Sequence, residues 1–119
     1  MRNNKLGRLY RDGEVVINKG DEGTCLFVIQ EGKVDVFDHK GDQEVKIAEL
    51  GASEFFGEMG LFEKDVRSCT VRAVGDAKIL TIDRKNFYKT IQKDPTLAYR
   101  LLQKMSFRIR ELNKKVTQS

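Results

Sequence analysis

Two short runs in this sequence have residue types and a spacing that could do chemistry: Gly57-Glu58-Met59-Gly60-Leu61 and, six positions beyond Leu61, Arg67-Ser68-Cys69-Thr70-Val71. A guanidinium is a planar fork that matches two phosphate oxygens, and Ser68 Oγ and backbone amides can donate to the others. Gly57 permits a sharp bend. Glu58-Met59-Gly60-Leu61 then reads as one helical turn whose N–H groups could face an anion. Lys64-Asp65 reverses the chain, which returns Arg67 to the neighbourhood of that turn. Glu58 would repel a phosphate, so its carboxylate needs hydroxyl groups to accept from, and a ribose 2′-OH meets that need. A ligand carrying both sugar and phosphate therefore suits the pair. The same residues also admit a plainer account, in which Glu58 and Arg67 pair with each other and Gly57 and Gly60 only shape a turn.

The elements that must position these residues are mostly strands. From Glu14 to Leu50 four β-rich runs are legible, Val15-Val16-Ile17, Cys25-Leu26-Phe27-Val28-Ile29, Val34-Asp35-Val36-Phe37 and Val45-Lys46-Ile47-Ala48. Gly20-Asp21-Glu22-Gly23, Glu31-Gly32-Lys33 and Lys40-Gly41-Asp42 stand between them as hairpin joints, each able to supply positive φ. Thr70-Val71-Arg72-Ala73-Val74 and Lys78-Ile79-Leu80-Thr81-Ile82 add two more runs around Gly75-Asp76, so the β part extends to Asp83.

Beyond Asp83 the period becomes helical. Phe87 and Ile91 mark one helix, and Asp94-Pro95 opens a second with a capping acid before a proline whose missing N–H costs nothing at the first helical position. Ala98, Leu102, Met105, Ile109, Leu112 and Val116 follow at alternating steps of four and three along that helix. This stripe either covers the domain's own sheet or forms the seam of a homodimer through the C-terminal helix. The expected organisation is a single domain over 1–119, β-structure over about 10–83 and helices over about 84–116.

With 119 residues and a net charge of +4, the chain can bury a core and favours anionic partners. Six bases (Arg100, Lys104, Arg108, Arg110, Lys114, Lys115) against Glu111 place much of that charge after Leu97. A solvated helix face is the bland account of them. No apolar run is long enough for a membrane segment and no signal-like stretch follows Met1, so a soluble, cytoplasmic protein is expected. Cys25 and Cys69 lack metal-ligand spacing and read as buried free thiols. His39 is the sole histidine, in the turn-like Asp38-His39-Lys40-Gly41 and without a nucleophile nearby, so a hairpin residue is expected, with no enzyme activity and no metal.

Taken in order, Phe56-Gly57-Glu58-Met59-Gly60-Leu61 and Arg67-Ser68-Cys69-Thr70-Val71 resemble the phosphate-binding cassette of the cyclic-nucleotide-binding domain family. That family includes bacterial catabolite activator proteins, protein-kinase regulatory subunits and nucleotide-gated channels. Asp12-Gly13-Glu14-Val15-Val16, Lys19-Gly20-Asp21, Phe27-Val28-Ile29-Gln30-Glu31-Gly32 and Asp83-Arg84-Lys85-Asn86-Phe87 are similar to further family landmarks, so the resemblance runs from about Tyr10 to Val116.

The resemblance implies a mainly β fold, an eight-stranded jelly-roll-like β-roll containing a short cassette helix, followed by two C-terminal helices that move with ligand. It implies a sensor of a cyclic nucleotide, cyclic AMP somewhat before cyclic GMP, that needs no other cofactor. Arg67 would clamp the cyclic phosphate, Glu58 accept from the ribose 2′-OH, and Gly57 admit the close backbone approach. Met59, Gly60, Ser68 and Cys69 would line the same site. The C-terminal helix would act as a lid, with Leu112 and Asn113 against the base and Arg108 paired to Glu58. Val66 stands where many members have proline and Cys69 where alanine is common, while Leu112 offers no polar group to a base. Activator relatives carry a DNA-binding helix-turn-helix after the lid helix, and no such module is visible up to Ser119. A protein effector is the expected output partner. The alternative is an interaction or dimerisation module that keeps the fold without binding nucleotide.

Overall fold

The structure, a computed structural model, describes residues 7–62 and 65–118, and the chain forms two compact units, one up to Arg84 and one from Lys85 onward. In the first unit β1 (Arg8–Tyr10), β2 (Val15–Ile17), β3 (Glu22–Gly23), β4 (Leu26–Lys40), β5 (Gln43–Leu50), β6 (Phe55–Phe56), α1 (Met59–Phe62), β7 (Asp65–Val66) and β8 (Thr70–Ile82) follow in order. Six strands make one sheet in the order β1-β8-β4-β5, with β2 also on β8 and β6 also on β4, while β3 and β7 form a separate ribbon. This is the predicted fold class, with eight strands and a cassette helix among the described residues.

The long antiparallel pair of β4 and β8 is the spine. Its register runs from Leu26↔Ile82 to Phe37↔Thr70 and shifts twice, between Ile29 and Glu31 and between Glu31 and Lys33. Here two expectations are corrected. Glu31-Gly32-Lys33 and Gly75-Asp76 are not joints between separate strands. They are bends within continuous strands, with Gly32 at φ 90° and Gly75 at φ 68°. Extra residues inserted against a partner kink a strand without ending its pairing, and glycine accepts the φ that such a bulge requires. Lys40-Gly41-Asp42 is a true hairpin joint, with Lys40 opposite Gln43 and Gly41 at φ 63°. His39 stands opposite Glu44 on that hairpin, as a hairpin residue should.

One face of the bent sheet closes on Tyr10, Ile17, Ile29, Val34, Phe56, Val71, Ala73, Ala77 and Ile79. Ile29, Val34 and Ile79 are fully buried, each such side chain stabilising the fold by roughly 1.5–3 kcal/mol. Elsewhere on the sheet Arg72 holds both carboxylate oxygens of Glu44 and lies 5.0 Å over the Phe37 ring. The Arg72 hydrogen bonds hold the Glu44 carboxyl below its ordinary range.

After β8 come the helices α2 (Arg84–Lys93) and α3 (Pro95–Gln118). Asp94 caps α3, since its Oδ1 accepts from the Thr96 amide at 3.2 Å and its carbonyl from the Leu97 amide at 3.1 Å. Among the described residues no helix is long and apolar enough to cross a membrane.

A Cβ on Gly32 would sit 2.5 Å from the Asp76 carbonyl oxygen and 2.9 Å from Ala77 Cα, whereas one on Gly41 would meet nothing within 4 Å. Gly32→Ala is therefore expected to cost about 2–4 kcal/mol, from strained φ plus a backbone clash, and Gly41→Ala about 1 kcal/mol. Thermal melts decide. Equal losses in the two variants would mean that the bend at Gly32 is not held by the Asp76 backbone.

Candidate functional site

The site is assembled from three short pieces that the spine alone does not contain. The first is β6, which lies antiparallel on β4 with Phe27 opposite Phe56. The two rings stack at 5.2 Å and 14°, fixing the direction in which the chain leaves the sheet. Gly57 then turns at φ 78°, Glu58 is buried to 3% exposure, and α1 begins at Met59. The amides of Gly60 and Leu61 bond back to the Gly57 and Glu58 carbonyls at 3.2 and 3.1 Å. Two of the turn's donors are thus spent inside it, which leaves the amides before Gly60 as the ones that could face an anion.

The second piece is the ribbon of β3 and β7, with Glu22 opposite Val66 and Gly23 opposite Asp65. It continues into Arg67, whose amide donates to the Asp21 carbonyl at 2.8 Å and whose carbonyl accepts from the Gly20 amide at 2.8 Å. Arg67 is thus fixed at its backbone on both sides. The reversal expected at Lys64 lies outside the described residues.

The third piece is the chain entering β4, which meets the Arg67 side chain. Nη1 donates to the Gly57 carbonyl at 3.0 Å and Nη2 to the Cys25 carbonyl at 2.8 Å, and the guanidinium carbon lies 5.8 Å from the Phe27 ring centroid. Arg67 is only 7% exposed. Glycines make room for it. A Cβ on Gly23 would overlap Arg67 Nε and Cζ, and one on Gly60 or Gly57 would lie 3.0 or 3.1 Å from Nη1.

The electrostatic consequence follows from the partners' identity. Backbone carbonyls orient a guanidinium and satisfy two of its five N–H groups, but being neutral they leave its charge intact. A cation held in this way in a small-residue cradle favours an anion with planar, two-pronged acceptors. Both of these Arg67 side-chain bonds run to main-chain oxygens.

The predicted site residues separate as follows. Gly57, Gly60 and Arg67 form one contact set, with Glu58 buried at the start of the turn. Met59 is 38% exposed on α1, Ser68 is exposed with Oγ 3.8 Å from Cys69 Sγ, and Cys69 is half-buried. Cys25 and Cys69 are both free thiols, though half-buried where full burial was expected. Arg108, Leu112 and Asn113 all lie exposed on α3, in the second unit. Sequence reasoning missed Gly23, the Cys25 carbonyl and Phe27. Gly23 carried a usable signal, because a glycine just ahead of a strand marks close approach as readily as a turn.

A β-roll that encloses an arginine beside a one-turn helix is the architecture of a small-ligand sensor domain. The cyclic nucleotide-binding domain profile matches residues 7–94, and the chain belongs to that family. It is 37% identical over 105 residues to the cyclic AMP receptor protein of Thermus thermophilus, covering 87% of this chain and 49% of that protein. It is 34% identical over 114 residues to the cAMP-activated global transcriptional regulator Vfr of Pseudomonas aeruginosa, covering 92% and 53%. The crystal structure of the Thermus thermophilus catabolite activator protein superposes with a TM-score of 0.78 at 35% identity, covering 92% of this chain and 52% of that one. The chain thus spans about half the length of these relatives.

Because Gly23 and Arg67 occupy adjoining space, their substitutions should not add. Gly23→Ala is expected to destabilise the fold, and the Gly23→Ala/Arg67→Ala double variant to recover part of that loss, with an interaction energy of about 1–3 kcal/mol. Denaturant titration of the four proteins measures it. Strict additivity would mean that Arg67 does not pack where the geometry puts it.

Proposed function

We propose that this domain senses a cyclic nucleotide, with Arg67 clamping the cyclic phosphate and Glu58 accepting from the ribose 2′-OH. The observation that carries this reading is the buried Arg67 guanidinium, held by the Gly57 and Cys25 carbonyls without loss of charge. Gly57 and Gly60 keep side chains out of the phosphate's approach, and Met59, Ser68 and Cys69 border it. Cyclic AMP is the preferred ligand over cyclic GMP, in keeping with the names of the two bacterial relatives.

Ligand then biases α3, which serves as a lid through Arg108, Leu112 and Asn113, with Arg108 meeting Glu58 and the other two meeting the base. A ligand shifts such an equilibrium only by its difference in affinity for the two lid positions, so the lid residues must contact it in one and not the other. The domain works in the cytoplasm, performs no catalysis and passes its signal to a protein effector.

Calorimetry with both nucleotides tests the proposal. Binding on the order of micromolar is expected. Arg67→Ala should abolish the heat, and Glu58→Ala should weaken binding by roughly 10- to 100-fold, as loss of a hydrogen bond to a charged group does. Absence of heat with either nucleotide would overturn the sensing role.

A second reading rests on α3 itself, where Leu102, Ile109 and Leu112 of one helical stripe are 69%, 59% and 55% exposed. A homodimer seam along that stripe would bury them, whether or not nucleotide binds. Sedimentation should then show a dimer that Leu112→Glu converts to monomer. A monomer at every accessible concentration would remove this reading.

A further inference from the structure

The cassette helix α1 is a single turn, too short to satisfy its own last carbonyls. Leu61 is 2% exposed, so water does not serve its carbonyl, and an unmet buried acceptor is costly. The partner comes from 23 positions downstream. Arg84 Nε donates to the Leu61 carbonyl at 2.9 Å. A cationic donor at this end of a helical turn also opposes the negative pole of its peptide dipoles.

Arg84 is the first residue of α2 and is separated from the end of β8 by Asp83 alone. There Ile82 is 2% exposed and stands opposite the fully buried Leu26, so the strand beneath Arg84 is firmly placed. The side chain of Arg84 is therefore a strut from a fixed strand end to the carbonyl end of α1. Gly57, Glu58 and Gly60 all lie within four residues of that carbonyl.

We propose that Arg84 is a positioning residue for the cassette, through whose bond to the Leu61 carbonyl the place of α1 and the first turn of α2 determine one another. The proposal rests on the nucleotide reading above and names the contact by which the occupied cassette reaches the helices. A hydrogen bond at 2.9 Å tolerates little displacement before it weakens steeply. A shift of α1 on binding then pulls on the Arg84 side chain at the start of α2 or breaks the bond.

Amide NMR shifts on addition of cyclic AMP, read beside calorimetry, test this in R84M, which keeps the aliphatic reach but not the donor. Expected is binding within about tenfold of the parent, with ligand shifts retained at Gly57–Leu61 and reduced by more than half at Lys85–Tyr88. R84K, which keeps a donor, should restore part of the α2 response. Undiminished α2 shifts in R84M would overturn the proposal. R84Q, a smaller change, replaces R84M if the latter lacks a cooperative melt.

If the parent takes up neither nucleotide, the sensing role falls by itself and the strut is read without ligand. Amide exchange at Gly60 and Leu61 should then be about tenfold faster in R84M than in the parent. Unchanged exchange would overturn the strut independently.

Discussion

The site depends on one demand, that a guanidinium be buried and held by main-chain oxygens. Taking a cation out of water is costly, and the usual remedy is a carboxylate partner, which would cancel the charge along with the cost. Here the Gly57 and Cys25 carbonyls, which are neutral, take two of the guanidinium's hydrogen bonds. Main-chain oxygens can do this only where the backbone comes very close, which explains the glycines around Arg67. Gly23, Gly57 and Gly60 each leave empty the space where a Cβ would press on Arg67. The ribbon of β3 and β7 follows from the same demand, since it pins the Arg67 backbone between Gly20 and Asp21 while the side chain turns inward.

That cradle needs a frame that curves, and the β4–β8 pair provides it. A flat pair of strands 13 to 15 residues long would leave its ends too far from one another to share a pocket. Bends at Gly32 and Gly75 fold the pair instead, and the close approach of Gly32 to the Asp76 carbonyl locks the two bends together. One end of the bent pair then carries both the chain entering β4 at Cys25, which supplies a carbonyl to Arg67, and Ile82, from which α2 departs.

Much of this was legible in the sequence, and the boundary between legible and hidden is physical. Val15–Ile17, the hairpin at Gly41, the end of the β part at Ile82 and the Asp94-Pro95 start of α3 all rest on local signals, namely β-branched runs, a two-residue turn and a cap. Gly57, Gly60 and Arg67, which do stand together, were singled out by type and spacing, but type and spacing also allowed a turn closed by a Glu58–Arg67 pair. Hidden were features decided by residues distant in sequence. Gly32 and Gly75 look like turn glycines, and only pairing across the sheet makes them bends in continuous strands. The strands Glu22–Gly23, Phe55–Phe56 and Asp65–Val66 are two residues long, too short for any period to show. The carbonyl of Cys25 belongs to the backbone, so no residue type could announce its role.

This division bears on where ligand discrimination must reside. Under the proposed reading the cassette meets only the phosphate and the ribose, groups common to cyclic AMP and cyclic GMP. Arg67, Gly57 and Glu58 would then supply affinity to both nucleotides equally, and equal contributions cancel in a ratio of affinities. Selectivity has to come from contacts to the base, hence from side chains outside the cassette such as Leu112 and Asn113. An apolar Leu112 contributes area without reading hydrogen-bond donors or acceptors, and one misplaced apolar group is worth only about 1–3 kcal/mol of discrimination. On the proposed reading such a domain would bind its class of ligand through a buried cation and choose within the class weakly, through the helix that closes on the base.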